Sequence, residues 1–424
     1  MQDASSPGGA PIVGSLLDTD FYKFLMCQVV HRHHPDVEVT FELVNRSRSE
    51  RLAERIAEAD LRDQLDRTRA LGFTADEVAA LGALESGPGQ ALFSAEFLAA
   101  LRQLRLPPYH LATRDGQFVL TFTGPWPAVM LWEVPALAAL MELRSRAVEA
   151  RLPAAVVAEA RRAARARLDG KLARLARLPG LALSDFGTRR RHSLAWQELA
   201  VLQARDVLGE AFTGTSNVLL AVRHGLVPIG TSAHELPMVY AALADGDTDL
   251  AASPYRVLAD WEATYGAALR VMLPDTFGTA GFLARAPDWV TRWSGIRIDS
   301  GDPAAIADLA IGWWRQRGED PAGKRVIFSD GLDVDEIETL HARYAGQVRA
   351  GFGWGTLLTN DFRGLVPGDG LAPFSLVCKA VAADGRPTVK LSDNPGKALG
   401  PAAEIARYRR VFAVGDQPDR PVVV

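Results

Sequence analysis

Two cysteines, Cys27 and Cys378, are all that 424 residues contain. That excludes any disulfide framework beyond one bridge and makes a reducing cytosol the expected setting. An excess of one charge is missing too. Lys and Arg number 47 against 51 Asp and Glu, a formal net charge of -4, with neither the basic surplus of a nucleic-acid binder nor an acidic tail. No window approaches eighteen apolar residues without a charge, so no membrane span is expected. The opening MQDASSPGGAPIVG has no basic start followed by an apolar run, and no secretory leader is expected there. The phosphate-loop pattern GxxxxGK followed by Ser or Thr is absent, as is the dinucleotide pattern GxGxxG. HRHH at 31–34 lacks metal-ligand spacing and reads as a loop at a helix end. What remains is the composition of an ordinary cytoplasmic globular protein, 48% hydrophobic and 23% charged. The length suits two or three domains, or one α/β barrel with a companion.

Against that background, GTSAHELPM at 230–238 stands out. A His-Glu pair invites a zinc-protease reading, but HExxH needs a second histidine where Met238 stands. His234 needs another task.

The first third of the chain is mixed. A polar-capped helix is predicted from Asp18 or Thr19 through FYKFLMCQVV, then a half-buried strand in VEVTFELVN, where apolar and polar residues alternate. Residues 49–71 predict a surface helix with Glu58 and Arg62 as an i,i+4 pair. QFVLTFTGPW predicts a strand stopped at Gly124–Pro125, and AVMLWEVPALAALMELRS a buried helix or helix pair. The arginines of 153–178 are scattered without interleaved aromatics, which fits an exposed helix rather than a nucleic-acid face.

From 181 to about 360 one unit recurs: an apolar run, a polar or glycine-containing turn, then a helical pattern. The runs end in SDFGTRRR, TGTSN, IGTSAHE, LPDTFGT, RIDSGDP, FSDGLD and FGWGTLLTN. Such succession means βαβ units and a parallel sheet. Seven strands predict an incomplete (β/α) barrel rather than an open doubly wound sheet. PFSLVCKAVAADGRPTVKLSDNPGK reads as two strands around an Asp-Gly turn, returning to the N-terminal part as extra sheet. The expected class is therefore α/β. Residues 1–145, completed by 374–424, would form one domain and 146–373 the barrel.

Barrel chemistry sits on the loops after the strands. One Ser, Thr, Asp or Gly turn would be a helix cap; seven converging on one rim suit a phosphorylated, sugar-containing ligand. His234 there could be a general base, a nucleophile toward phosphate or a hydrogen bonder, against the plainer alternative of a helix-capping histidine. Glu235 could tune the ring, although adjacent side chains in a strand point to opposite faces. Arg189, Arg190 and Arg191 offer forks for carboxylate or phosphate, with Phe186 able to stack on a flat ring. Arg297, Asp299 and Asp302 around Ser300–Gly301 can bind a diphosphate, ribose hydroxyls and the associated Mg²⁺; the alternative is a helix start with Pro303 in its first turn. Gly331, Gly353 and Gly355 allow close backbone approach.

In order along nearly the whole chain, LLDTDFYKFLMCQ (16–28), GPWPAVMLWEVPALA (124–138), SDFGTRRRHS (184–193), GTSNVLLA (214–221), GTSAHELPM, IRIDSGDP, FSDGLD, GFGWGTLLTND and VKLSDNPGK resemble the nicotinate phosphoribosyltransferase family. The resemblance implies an α/β sandwich domain packed on an irregular barrel. It implies transfer of phosphoribosyl from phosphoribosyl pyrophosphate (PRPP) to nicotinate. The products would be nicotinate mononucleotide and pyrophosphate, with ATP hydrolysed alongside and Mg²⁺ accompanying both phosphorylated substrates. His234 is then the residue transiently phosphorylated, and Asp299 a catalytic partner. Tyr22 and Phe186 would sandwich the pyridine ring, Tyr22 reaching in from the second subunit of a homodimer. Arg189, Ser216 and Thr231 would complete the nicotinate subsite, with Arg297, Gly331, Gly355 and Thr356 facing PRPP. Relatives using nicotinamide carry an acid where Ser216 stands, so the resemblance implies acid rather than amide. Leu236 departs from the Trp of some members. The alternatives are a nicotinamide enzyme, an ATP-independent quinolinate enzyme of the same fold, and a non-catalytic phosphoribosyl-ligand binder.

Overall fold

A computed structural model describes residues 9–414. The alternation in VEVTFELVN becomes the strand Glu38–Asn45, with Val39, Phe41 and Leu43 turned to the core. It pairs antiparallel with Gln117–Pro125 on one side and Leu376–Ala383 on the other. Early and late segments thus share one five-stranded antiparallel sheet, edged by Tyr109–Arg114 and Arg386–Pro387. Asp384 and Gly385, both with positive φ (45 and 73), make the tight turn between the last two strands.

That final strand is only two residues long, against the longer one expected. Downstream of it the backbone finds acceptors elsewhere: Leu391 and Ser392 N–H both donate to the Thr276 carbonyl, at 2.9 and 3.1 Å. KLSDNPGK therefore leaves the antiparallel sheet and crosses to the other half of the molecule.

The strand-turn-helix units build a six-stranded parallel sheet. Its order is Phe212–Thr215, Leu183–Asp185, Arg349–Trp354, Arg325–Phe328, Gly295–Ile298, Val271–Met272. The first strand of the series pairs with the last, Leu183 opposite Phe352, the wrap-around order of a barrel. The seventh expected strand, before GTSAHE, is reduced to a single parallel bridge between Thr215 and Pro228. Among the described residues no pairing joins this bridge to Val271–Met272, so the ring stays open there.

Helices cover both sheets. The first runs Phe21–His33, later than expected because Asp18 is occupied by Arg191. Residues 49–71 split into Leu52–Arg55 and Glu58–Arg69, with the Arg62–Glu58 pair at 2.8 Å. In Ala154–Leu175, Ala160, Ala164, Leu168 and Leu172 recur every fourth residue as the one buried stripe, leaving the arginines outside. Trp126–Glu149 is the one helical stretch among the described residues long and apolar enough to cross a membrane. It is 89% buried within the fold, which makes it a core element. The terminal helix Ala402–Phe412 packs Tyr408 and Phe412 on Phe277, with ring centroids 5.5 and 4.4 Å apart.

Candidate active site

The eleven residues that the resemblance assigns to the site all line one cavity at the rim of the parallel sheet, whereas Arg191, Glu235 and Asp302 do not. Tyr22, Phe186, Arg189, Ser216 and Thr231 share it with His234 and Asp299, and with Arg297, Gly331, Gly355 and Thr356. Two glycines make close approaches possible. A Cβ on Gly353 would be driven into the Phe186 ring, and one on Gly230 would meet the Tyr22 backbone nitrogen at 2.8 Å.

His234 sits at the N-cap of the helix Glu235–Ala242. Its Nε2 lies 2.9 Å from Asp299 Oδ2 and its Nδ1 2.9 Å from Thr276 Oγ1. Burial, reinforced by Lys390, lowers its pKa to about 4, so the ring is neutral near pH 7. Burial would raise Asp299, but Arg297 and His234 outweigh it and hold the carboxyl well below the usual range. An ionised Asp299 accepts the Nε2 proton, which leaves Nδ1 to accept the Thr276 hydroxyl. Arg297 donates to Thr231 Oγ1 at 3.0 Å and lies 3.9 Å from Asp299.

Glu235 faces away. It accepts from Lys23 at 2.5 Å and from the Trp126 indole at 2.6 Å, so the residue that suggested metal chemistry belongs to a buried structural pair. The three adjacent arginines also divide. Arg191 is fully buried in a fork on Asp18, with contacts of 2.5 and 2.7 Å, while Arg189 and Arg190 line the cavity. Arg189 lies over the Tyr22 ring, 5.7 Å to its centroid, with Nε 3.3 Å from Asp20.

Two expectations change. Tyr22 lines the cavity from the same chain that supplies Phe186, because the turn before its helix is stitched to the rim: Phe21 N–H donates to the Ser216 carbonyl at 2.7 Å. Ser216, read as a donor toward nicotinate, gives its hydroxyl proton to Asp20 Oδ1 at 2.6 Å.

Several cavity residues were not singled out in advance: Asp20, Arg46, Asp330, Lys379, Lys390 and Lys397. Lys397 holds both Asp330 oxygens at 2.6 Å. Lys390 and Lys397 come from the misassigned KLSDNPGK segment. Their signal was there: lysines spaced among Ser, Asp, Asn and Gly are poor material for a buried strand.

One rim thus joins a neutral buried histidine on a carboxylate, aromatic rings beside arginine, and a cluster of lysines and arginines around glycine turns. That combination suits a ligand carrying a flat ring and phosphate groups, and the family comparison gives the class, a phosphoribosyltransferase. It also gives the particular kind. Residues 17–141 match the nicotinate phosphoribosyltransferase N-terminal domain and residues 181–416 the nicotinate phosphoribosyltransferase family. The chain belongs to that family. Among solved structures it is similar to nicotinate phosphoribosyltransferase from Vibrio cholerae, with a TM-score of 0.84, 30% identity and coverage of 97% of this chain and 96% of that one. The enzyme of Porphyromonas gingivalis gives 0.82, 29%, 95% and 100%. A putative nicotinate phosphoribosyltransferase of Saccharomyces cerevisiae gives 0.78, 27%, 96% and 99%.

Proposed function

We propose that this phosphoribosyltransferase makes nicotinate mononucleotide from nicotinate and PRPP, coupled to ATP hydrolysis through phosphorylation of His234, in the cytoplasm and at the entry to NAD synthesis. The observation that carries the coupling is the pairing of a neutral imidazole with an ionised carboxylate at 2.9 Å. The lone pair of the neutral ring lies on Nδ1 and attacks the γ-phosphorus of ATP once the Thr276 hydroxyl turns away from it; ADP leaves, and Asp299 stabilises the positive charge that develops on the ring. Water later takes the phosphoryl group to phosphate and restores the imidazole.

Phosphoribosyl transfer itself asks for positioning. The C1–O bond to pyrophosphate breaks as the pyridine nitrogen closes on C1, and the ribose passes through oxocarbenium character. Tyr22 and Phe186 flank the ring end, and Arg297 with the Gly331 and Gly355–Thr356 turns suits the phosphoribosyl group. Arg46, Lys390 and Lys397 gather positive charge where a diphosphate would leave. Mg²⁺ fits this rim: Asp275 and Asp299 offer carboxylate oxygens beside His234, and Asp275 Oδ1 is buried without a hydrogen-bond partner. Bound there, the ion would supply countercharge to phosphate oxygens.

The test is turnover with nicotinate, nicotinamide and quinolinate, each with and without ATP, in wild type and His234→Ala. Nicotinate should be the substrate, stimulated by ATP. The variant should lose ATP hydrolysis and its coupling while keeping slow ATP-independent transfer. Normal ATP-dependent activity in that variant would sink the phosphohistidine. Preference for nicotinamide would replace the substrate, and binding without turnover would leave a ligand-binding protein.

A further inference from the structure

Acid selectivity needs a new owner, because the Ser216 proton is spent on Asp20. Behind the cavity wall Glu133, itself not lining the cavity, sits among three cations. Its Oε2 lies 2.6 Å from Lys23, while Oε1 lies 3.5 Å from Arg189 Nη1 and 3.8 Å from Lys379 Nζ. Lys23 is fully buried and does not line the ligand space. Arg189 and Lys379 both line it, with side chains 36% and 18% exposed. Sharing one carboxylate oxygen brings two cations of unrelated elements side by side: Arg189 from the turn after Leu183–Asp185, Lys379 from the antiparallel strand Leu376–Ala383. Arg189 also covers the Tyr22 ring, which places the pair at the aromatic end of the cavity. Two adjacent donors there match the two oxygens of an aromatic carboxylate.

We propose that Lys379 is a specificity-determining residue that, with Arg189, binds the carboxylate of the pyridine substrate, and that Glu133 is the positioning residue holding the two cations together. This rests on nicotinate being the substrate. An uncharged carboxamide gains no ion pair there, and two cations present no acceptor for its N–H groups. The nearby Asp20 carboxylate is engaged on both oxygens, Oδ1 by the Ser216 hydroxyl at 2.6 Å and Oδ2 by Arg189 Nε at 3.3 Å, which disfavours it as an acceptor for an amide.

The pair also titrates. Burial pulls the Lys379 pKa down to about 8; Glu133 opposes that shift, while Arg189, Lys390 and Arg46 add to it. Glu42 is its cross-strand neighbour. Lys379 loses its proton as pH rises through about 8, and the carboxylate subsite weakens with it.

Steady-state kinetics on the full chain, varying nicotinate and PRPP separately, test this in wild type, Lys379→Met, Lys379→Arg and Glu133→Gln. Lys379→Met should lower kcat/KM for nicotinate about ten- to a hundredfold, the worth of a charged hydrogen bond, with KM for PRPP near wild type and the preference over nicotinamide reduced. Lys379→Arg should restore nicotinate use and move the alkaline limb to higher pH. Glu133→Gln should raise KM for nicotinate and move that limb to lower pH. A rise in KM for PRPP alone would make Lys379 a phosphate contact and overturn the assignment. A Glu133→Gln protein with lower Tm but unchanged constants and limb would reduce Glu133 to a structural role. Wild-type inactivity with nicotinate would overturn the substrate as well, whereas an unimpaired Lys379→Met would overturn only Lys379.

Discussion

His234 is a nucleophile candidate because of what surrounds it, and Lys390 is the neighbour whose effect can be isolated. Burial and Lys390 both disfavour the imidazolium and bring the pKa to about 4, against an ordinary value of about 6.5. The ring therefore stays neutral well into acid, and ATP hydrolysis should hold up below the pH at which a free histidine charges. Removing Lys390 removes one of the two depressing causes. In Lys390→Met the acidic limb of ATP hydrolysis should move upward toward 6.5, whatever happens to the maximal rate. A limb unmoved between the two proteins would show that burial alone sets the ring. This dependence could not be read in the sequence, since 156 residues separate the pair (390 − 234). His234, Phe186, Arg189 and Arg297 were legible because each ends an apolar run in a polar turn. Asp20 and Glu133 were not, because a lone acid beside a helix start or inside an apolar helix reads as a cap or a tolerated exception.

Strand-turn-helix units made the parallel sheet legible, and their regular spacing carried the rim chemistry with them. The failures came where long-range contacts override local pattern. IGTSAHE reads as a strand end, yet only Thr215 and Pro228 bridge. TVKLSDNPGK reads as sheet, yet its backbone is drawn to Thr276. Close packing between elements is equally invisible in one dimension. Gly353, on the strand Arg349–Trp354, has no room for a Cβ because the Phe186 ring lies against it. Gly353→Ala should turn that ring into the space reserved for the pyridine. Overpacking of this kind costs about 1–3 kcal/mol, so a modest fall in Tm should accompany a clear rise in KM for nicotinate, with KM for PRPP little affected. Unchanged nicotinate kinetics would place the pyridine away from Phe186.

Two of the ties between the two halves of the molecule end at the cavity. At one, the turn before Phe21–His33 bonds to the barrel rim, with Asp20 bridging to Asn217 and Phe21 N–H donating to the Ser216 carbonyl. At the other, Thr388–Lys397 carries Lys390 and Lys397 across from the antiparallel sheet. The residues proposed for the pyridine end and for the phosphate end all line this cavity within the one chain. The resemblance implies a homodimer with a shared site because Tyr22 would come from a neighbour, while the chain's own Tyr22 also lines this cavity. If the chain's own Tyr22 is the one that stacks on the pyridine, specific activity should stay constant on dilution through the range where sedimentation shows any dimer dissociating to single chains. A loss of activity that tracks dissociation would mean that a neighbouring copy completes the site, as the resemblance implies.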